Sequence, residues 1–148
     1  AILGTVAVTQ PDLVTKAVKK FGEDAIAVSI DARDGFVRTR GWQDATRLSA
    51  LKFAQDLAEC GLRWLVFTDI ARDGLQTGLN IPATQNMAEQ SGLNVIASGG
   101  VVTLDHLVDG ITLGGADAVL AASIFHFGEH TVPEAKKYMA ERGVTVRT

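Results

Sequence analysis

The sequence has few of the residues that mark several common classes of protein. It contains a single cysteine, Cys60, which permits no disulfide within the chain, and its first residues show no basic segment followed by an apolar one that would indicate a secretory signal. No apolar run approaches the roughly 20 residues that a membrane-spanning helix needs. These absences predict a cytoplasmic protein without a membrane partner.

Charge of either sign is also scarce. Charged residues make up 21% of the sequence, with 14 Lys and Arg against 17 Asp and Glu, for a net charge of −3. The basic residues are scattered, whereas duplex nucleic acid needs a concentrated basic face, so we expect no nucleic-acid partner. The 148 residues are 47% hydrophobic, which is enough for one soluble globular domain over residues 1–148.

Short β-branched and apolar runs alternate with longer stretches of helical period, and this alternation predicts βα units on a parallel sheet. Four runs are nearly all apolar, as strands buried on both faces should be: residues 25–31, 63–69, 94–98 and 116–121. Residues 1–3 form a shorter apolar stub. Capping residues and apolar stripes predict helices after Thr9, from Thr46 to Glu59, after Thr103 and after Thr131.

A faint internal repeat supports a barrel. The tetrapeptide Ala-Arg-Asp-Gly follows the first strand at 32–35 and the second strand at 71–74. A (β/α)8 barrel needs eight strands and about 200 residues or more, so four strands make half of one. The expected fold class is therefore α/β, a (βα)4 half of a TIM barrel with parallel strands. Because a half-barrel leaves two strand edges unpaired, we expect two copies to close an eight-stranded barrel as a homodimer.

Polar residues at the carboxyl ends of the strands are candidates for chemistry, since the active site of a parallel barrel forms there. Asp31 ends the first strand, where a partly desolvated carboxylate suits acid–base work. A salt-bridged or loop-capping aspartate is an equally good interpretation. Thr68 and Asp69 end the second strand, and Asp73 follows them with Gly74, in a dipeptide that also forms ordinary turns.

Small residues at the ends of the next two strands indicate a phosphate site. Gly99 and Gly100 follow the third strand, and Ala122 and Ser123 follow the fourth, just before a predicted short helical turn at 124–127. Glycines let backbone N–H groups approach an anion, and the loops after the last two strands of a barrel are a common phosphate site. Simple tight turns are the alternative interpretation.

Two further segments offer weaker signals for anion binding. Gly4 and Thr5 follow the stub and form either a second phosphate loop or a flexible terminus. Arg40 and Trp42 combine a guanidinium with an indole, which suits an anionic ligand that stacks, although a tryptophan in such a place is more often packed. The three histidines show no metal-ligand spacing with Cys60, so we expect no metal and no cofactor.

These motifs resemble those of the histidine-biosynthesis (β/α)8 barrels, which are phosphoribosylformimino-aminoimidazole carboxamide ribotide isomerase and the cyclase subunit of imidazole glycerol phosphate synthase. Residues 1 to about 97 are similar to the C-terminal half of the isomerase, through segments 2–8, 29–33, 40–42 and 67–74. Residues from about 98 to 148 are similar to the cyclase, through segments 97–101, 103–107 and 116–127. The resemblance implies a recombined or engineered half-barrel, or a natural truncated relative.

The resemblance also implies roles for individual residues. Asp31 matches one member of the acid–base pair of both enzymes, and Thr68 and Asp73 match isomerase positions for substrate contact and proton transfer. Arg40 and Trp42 match the substrate-binding loop of the isomerase. A C-terminal phosphate site corresponds to Asp73, Gly74, Gly99, Gly100, Ala122 and Ser123, and part of an N-terminal one to Gly4 and Thr5. The family's other essential aspartate lies on the first strand of the full barrel, which this chain is not expected to supply.

The expected function is binding of phosphate or of a phosphorylated, ribose-derived small molecule. By the resemblance, a latent acid–base site serves Amadori-type isomerisation or imidazole ring closure, with weak or no activity alone. Two carboxylates suit such reactions, because one group must donate a proton while another accepts one. Two alternatives are a non-catalytic engineered chimeric half-barrel that serves as a model of fold evolution, and an isomerase that is active once an N-terminal half-barrel complements it.

Overall fold

The structure, a computed structural model, describes residues 1–73 and 77–147, and Gly74, one of the predicted site residues, lies outside the described residues. Short strands alternate with helices along the chain. The strands are β1 (Ile2–Leu3), β2 (Ala27–Arg33), β3 (Phe36–Thr39), β4 (Asp44–Ser49), β5 (Trp64–Asp69), β6 (Asn94–Ser98) and β7 (Ala118–Val119). The helices are α1 (Thr5–Thr9), α2 (Pro11–Phe21), α3 (Ala50–Glu59), α4 (Ile81–Gln90), α5 (Leu104–Thr112), α6 (Ser123–His126) and α7 (Val132–Glu141).

The strands form one sheet in the order β4-β3-β2-β5-β6-β7, and β1 pairs with Ala27 and Val28 at the start of β2. Strands β1, β2, β5, β6 and β7 are parallel to their neighbours in this group, whereas β3 runs antiparallel to both β2 and β4. The predicted α/β class with mostly parallel strands is confirmed, and the arrangement is compatible with half of a TIM barrel.

The predicted strands differ from the observed ones mainly at their ends. Strand β6 has the predicted bounds, β5 begins one residue later than predicted, and β2 is shifted by two residues toward the carboxyl end. The prediction of a strand over residues 116–121 is wrong in length, since β7 comprises only Ala118–Val119. Within the described residues β7 is an edge strand that pairs only with β6. A strand with a neighbour on one side makes fewer ladder hydrogen bonds, which accounts for its short length.

The hairpin of β3 and β4 is absent from the sequence-based expectation, and the helix predicted from Thr46 is wrong at its start. Residues 44–49 form β4, and α3 begins only at Ala50, where the Ser49 hydroxyl accepts a hydrogen bond from the Lys52 N–H at 3.4 Å. Thr46 instead donates its hydroxyl to the Val37 carbonyl at 2.7 Å. Pairing with β3 therefore overrides the helical pattern of this segment.

Helices α3, α4, α5 and α7 begin at side-chain caps, whereas α1, α2 and α6 do not. Thr103 caps α5 and Thr131 caps α7, as their spacing predicts, and Thr131 forms a capping box with Glu134. The hydrogen bonds from Thr131 hold the pKa of the Glu134 carboxyl below its ordinary value. Helix α4 was not expected, although Asn80 is its N-cap residue and Pro82 lies in its first turn. Among the described residues, no helix is long and apolar enough to cross a membrane.

The two faces of the parallel strands differ in chemistry. One face packs against helices, and its aliphatic row Val28, Leu65 and Val95 lies in register and is inaccessible to solvent. The opposite face, which we call the inner face, carries three rows across β2, β5 and β6: Ala27–Trp64–Asn94, Ser29–Val66–Ile96 and Asp31–Thr68–Ser98. Paired residues point to the same face, so the last row places three polar side chains together near the carboxyl ends of the strands.

Candidate functional site

The polar row at the carboxyl ends of the strands extends across four strands. Asp31 pairs with Thr68, and Thr68 pairs with Ser98, in the parallel ladders. On the other side of β2, Asp31 lies directly opposite Arg38 of the antiparallel strand β3. Directly opposite residues share a face, so Arg38, Asp31, Thr68 and Ser98 form one row on the inner face. Sequence reasoning missed Arg38, because its place in this row depends on the hairpin of β2 and β3, which the Asp34-Gly35 pair at its turn could have signalled.

Asp31 is held by the connection between β3 and β4. Its Oδ2 accepts a hydrogen bond from the Trp42 Nε1–H at 2.9 Å, and the indole is 44% exposed. Trp42 has a φ of +71° and Arg40 a φ of +55°, which are uncommon for residues with side chains and indicate a constrained loop. Asp31, Thr68, Arg40 and Trp42 therefore lie in one region, and the loop orients the carboxylate.

The same loop reaches the amino-terminal candidates. The backbone N–H of Arg40 donates to the Thr5 hydroxyl at 3.0 Å, and the Arg40 guanidinium pairs with Asp44 at 3.4 Å on the surface. Gly4 and Thr5 form neither an open loop nor a free terminus, because Gly4 is the N-cap residue and Thr5 the first residue of α1. The structure thus brings the second predicted anion segment next to the loop that holds Asp31.

A separate pocket of about 250 Å³ lies between the loop after β6 and the start of α6. Gly99, Gly100, Ala122 and Ser123, all predicted to contact phosphate, line it together with Asp73. The Ser123 hydroxyl donates to the Val101 carbonyl across the pocket at 3.4 Å. The first backbone N–H groups of a helix have no partner within the helix, so the start of α6 offers donors to an anion here.

The two glycines in this pocket are required by the backbone around them. Gly99 has a φ of +100°, and a Cβ there would lie 2.8 Å from the Asp69 carbonyl oxygen. Gly100 has a φ of +86°, and a Cβ there would lie 2.6 Å from the Gly78 carbonyl oxygen. Tight packing alone therefore accounts for a Gly-Gly sequence, and phosphate binding rests on the pocket they line.

Asp69 has a structural role rather than a chemical one. Its carboxylate is buried and accepts hydrogen bonds from the Ala71 N–H, at 2.9 Å, and from the Asn80 side-chain amide. Asn80 in turn caps α4 by accepting from the Ala83 N–H. Asp73 is exposed, and its backbone N–H is bonded to the Asp69 carbonyl at 3.2 Å, so Asp73 offers the pocket its carboxylate alone.

The described residues hold no metal site, since no group of three or more His, Cys, Asp or Glu side chains is placed to bind an ion. His106 has a packing role, because its Nδ1 accepts a hydrogen bond from the Val102 N–H at 3.2 Å at the start of α5. The imidazole Nδ1 and the Val102 N–H thus satisfy each other. The candidate site offers carboxylates, hydroxyls, a guanidinium and backbone donors.

Parallel βα units with polar and glycine residues gathered at the carboxyl ends of the strands define a class, the barrel-type α/β proteins whose sites form at that end. A family model described as "Histidine biosynthesis protein" matches residues 1–131. The chain therefore belongs to the histidine biosynthesis protein family. The family part of the sequence resemblance is confirmed, whereas the division of the chain between two enzymes stays a prediction.

Proposed function

We propose that the chain binds a phosphorylated, ribose-derived small molecule and holds its phosphate in the pocket at the start of α6. The observation that carries this proposal is the convergence of Gly99, Gly100, Ala122 and Ser123 on one pocket. Glycine backbones and the start of a helix are suited to an anion, since their N–H groups approach it closely. Membership of a histidine biosynthesis family supports a phosphorylated ribose derivative as the ligand class.

We further propose that Asp31 acts as an acid–base group, with Thr68 beside it and Asp73 at the far end of the ligand. The Trp42 N–H holds one oxygen of Asp31 and leaves the other for a proton. The supported reaction classes are Amadori-type isomerisation and imidazole ring closure, with weak or no turnover by the chain alone. Isomerase and cyclase assays of the chain, alone and mixed with an N-terminal half-barrel, test this part. A cytosolic location stays a prediction.

Replacing Ala122 with aspartate is expected to weaken the binding of inorganic phosphate at least about tenfold, since a charged group facing the anion adds more than about 1.4 kcal/mol of repulsion. Ala122 is exposed and directly precedes α6, so a small polar side chain is expected to be tolerated there. Titration calorimetry with inorganic phosphate measures the affinity. Gly99 is a poor choice for this test, because any side chain there meets the Asp69 carbonyl.

The matched control is Ala122→Asn, which has the same size as the aspartate but carries no charge. Its phosphate affinity should stay within about twofold of the wild type. An unchanged affinity in the aspartate variant would place phosphate elsewhere. Equal losses in both variants would point to steric disruption of the pocket.

We also propose that two copies of the chain associate through the edges of their sheets. Ile2 at the β1 edge and Leu120 after β7 are 60% and 42% exposed, and unpaired edges with apolar residues favour association. Strand β1, however, occupies the edge of β2 that a partner strand needs. Two copies that keep all their parallel strands would form a ten-stranded barrel, so closure at eight strands requires each β1 to leave β2.

Light scattering at micromolar concentration is expected to give the mass of a dimer. Ile2→Lys places a charge on the β1 edge and should shift the population toward the monomer, because lysines on an edge oppose strand pairing. Phe36→Lys is the control, since Phe36 is 46% exposed but lies on the antiparallel strand β3. A wild-type chain that stays folded at the mass of a monomer would contradict this proposal.

A further inference from the structure

The inner face carries a larger cavity at the end opposite the candidate site, which we call the amino-end cavity. It has a volume of about 630 Å³ and lies at the amino ends of the strands, where Ala27, Trp64 and Ile96 of the inner face line it. Helix α7 and the segment after it, residues 144–147, line it as well. This volume is within the range of known small-molecule sites, and the proposed phosphate chemistry makes no use of the cavity.

The lining of the amino-end cavity is mostly apolar. Trp64, Ile96 and Met139 are only partly buried, so part of their apolar surface remains in contact with solvent. Val119 and Val146 line the cavity in the same half-buried state. Removing apolar surface from water is favourable, so the cavity is suited to a ligand with an apolar body.

The charged residues that line the cavity differ in their partners. Both acidic side chains are engaged, because Asp24 pairs with the Arg63 guanidinium at 2.9 Å and Asp117 accepts from a backbone N–H at 2.8 Å. Lys136 and Arg147 also line the cavity, and none of the ion pairs in the described part of the chain includes either of them. The charge still available to a ligand is therefore positive.

Lys136 is placed to bind an anionic group in this cavity. Its Nζ donates one hydrogen bond, to the Arg147 carbonyl at 2.5 Å, and an ammonium group has three donors. Hydrogen bonds from a charged donor to an anion are stronger than those between neutral groups. We propose that the amino-end cavity binds a small molecule, free in solution, that has an apolar body and one anionic group held by Lys136. This site and the phosphate pocket lie at opposite ends of the strands, and neither depends on the other.

Two probes with the same apolar body test the site. They are 8-anilinonaphthalene-1-sulfonate, which carries one negative charge, and N-phenyl-1-naphthylamine, which carries none. Fluorescence titration of the wild-type chain should show one equivalent of the sulfonate probe per chain. Lys136→Met should weaken the sulfonate probe about three- to tenfold, the usual effect of losing one hydrogen bond, and leave the affinity for the uncharged probe within about twofold.

The matched control is Lys137→Met, which removes the same charge from the same helix. Lys137 is exposed, pairs with Glu141 and is not part of the cavity lining, so its replacement should change the affinity for neither probe. Ala118→Phe tests the cavity itself, because Ala118 is half-buried in the lining and a larger side chain there takes up its volume. This variant should weaken both probes at least about tenfold, and circular dichroism checks that it is folded. The Lys136→Met comparison changes no buried residue and tests the proposal even if Ala118→Phe does not fold.

Equal affinity of Lys136→Met and the wild type for the sulfonate probe would overturn the proposal, as would unchanged binding of both probes to folded Ala118→Phe. A second copy of the chain is the other candidate occupant of this face. Light scattering during the titration separates the two, because a sulfonate probe that binds only as dimers dissociate would assign the face to the second copy and overturn the proposal. Phosphate binding and its response to Ala122→Asp are measured independently of both probes.

Discussion

Replacing Gly100 with alanine is expected to lower the free energy of unfolding by about 2–5 kcal/mol. The added Cβ would lie 2.6 Å from the Gly78 carbonyl oxygen and 3.0 Å from that of Arg72. Both are backbone atoms, so neither moves aside as the end of a side chain would. The φ of +86° adds the strain of a left-handed backbone with a side chain, and the Gly78 N–H to Gly100 carbonyl bond of 3.0 Å would also be disturbed.

Urea unfolding of the two proteins measures the difference. Gly143→Ala is the matched control, because Gly143 has a φ of +81° but nothing within 4 Å of its added Cβ. Gly143→Ala should lower the free energy of unfolding by about 1 kcal/mol, which is the cost of a side chain on a left-handed backbone without any steric contact. Similar losses in the two variants would show that the loops after β5 and β6 separate easily and would contradict the close contact described here.

Asp69→Ala should lower the free energy of unfolding by about 2–4 kcal/mol. Asp69 is 8% exposed, and its carboxylate accepts hydrogen bonds from the Ala71 N–H and the Asn80 amide. These bonds hold the loop after β5 and the start of α4. Alanine leaves both donors without a partner in a partly buried position, and each such donor costs about 1–3 kcal/mol.

Denaturant unfolding of Asp69→Ala, of Asn80→Ala and of the double variant tests this role. The double variant should lose less free energy of unfolding than the sum of the losses in the two single variants, because the two residues act through one contact. Asp73→Ala, in the same loop but exposed, should change stability by less than about 0.5 kcal/mol. A large loss in Asp73→Ala and a small one in Asp69→Ala would exchange the roles assigned to the two aspartates.

The parallel strands are predictable from sequence because burial on both faces leaves a continuous apolar run. Strand β6 follows its run at residues 94–98, and β5 begins one residue late. The hairpin of β3 and β4 is not predictable in this way, since its residues are largely polar and its register shifts between Phe36 and Arg38. Helix α4 is mostly polar and has only a narrow apolar stripe. Its sequence signals are therefore limited to the N-cap residue Asn80 and to Pro82 in the first turn.

The candidate site divides in the same manner. Residues that follow buried strands, such as Gly99 and Ser123, were predicted because parallel strands end at one edge of the sheet. The contact of Thr5 with Arg40 joins segments far apart in sequence, so it emerges only from the fold. Arg38, in contrast, lies opposite Asp31 across the two-residue turn Asp34-Gly35, and an Asp-Gly pair between two strands is a local hairpin signal that could have found it.

The close contact of Gly99 and Gly100 with the carbonyls of Asp69, Arg72 and Gly78 has a consequence for which positions of these loops can vary. The nearest atoms on the far side of the contact are carbonyl oxygens, so the contact depends on glycine at 99 and 100 and not on the side chains of the residues that supply the carbonyls. Substitutions of the Arg72 side chain should therefore leave this contact unchanged.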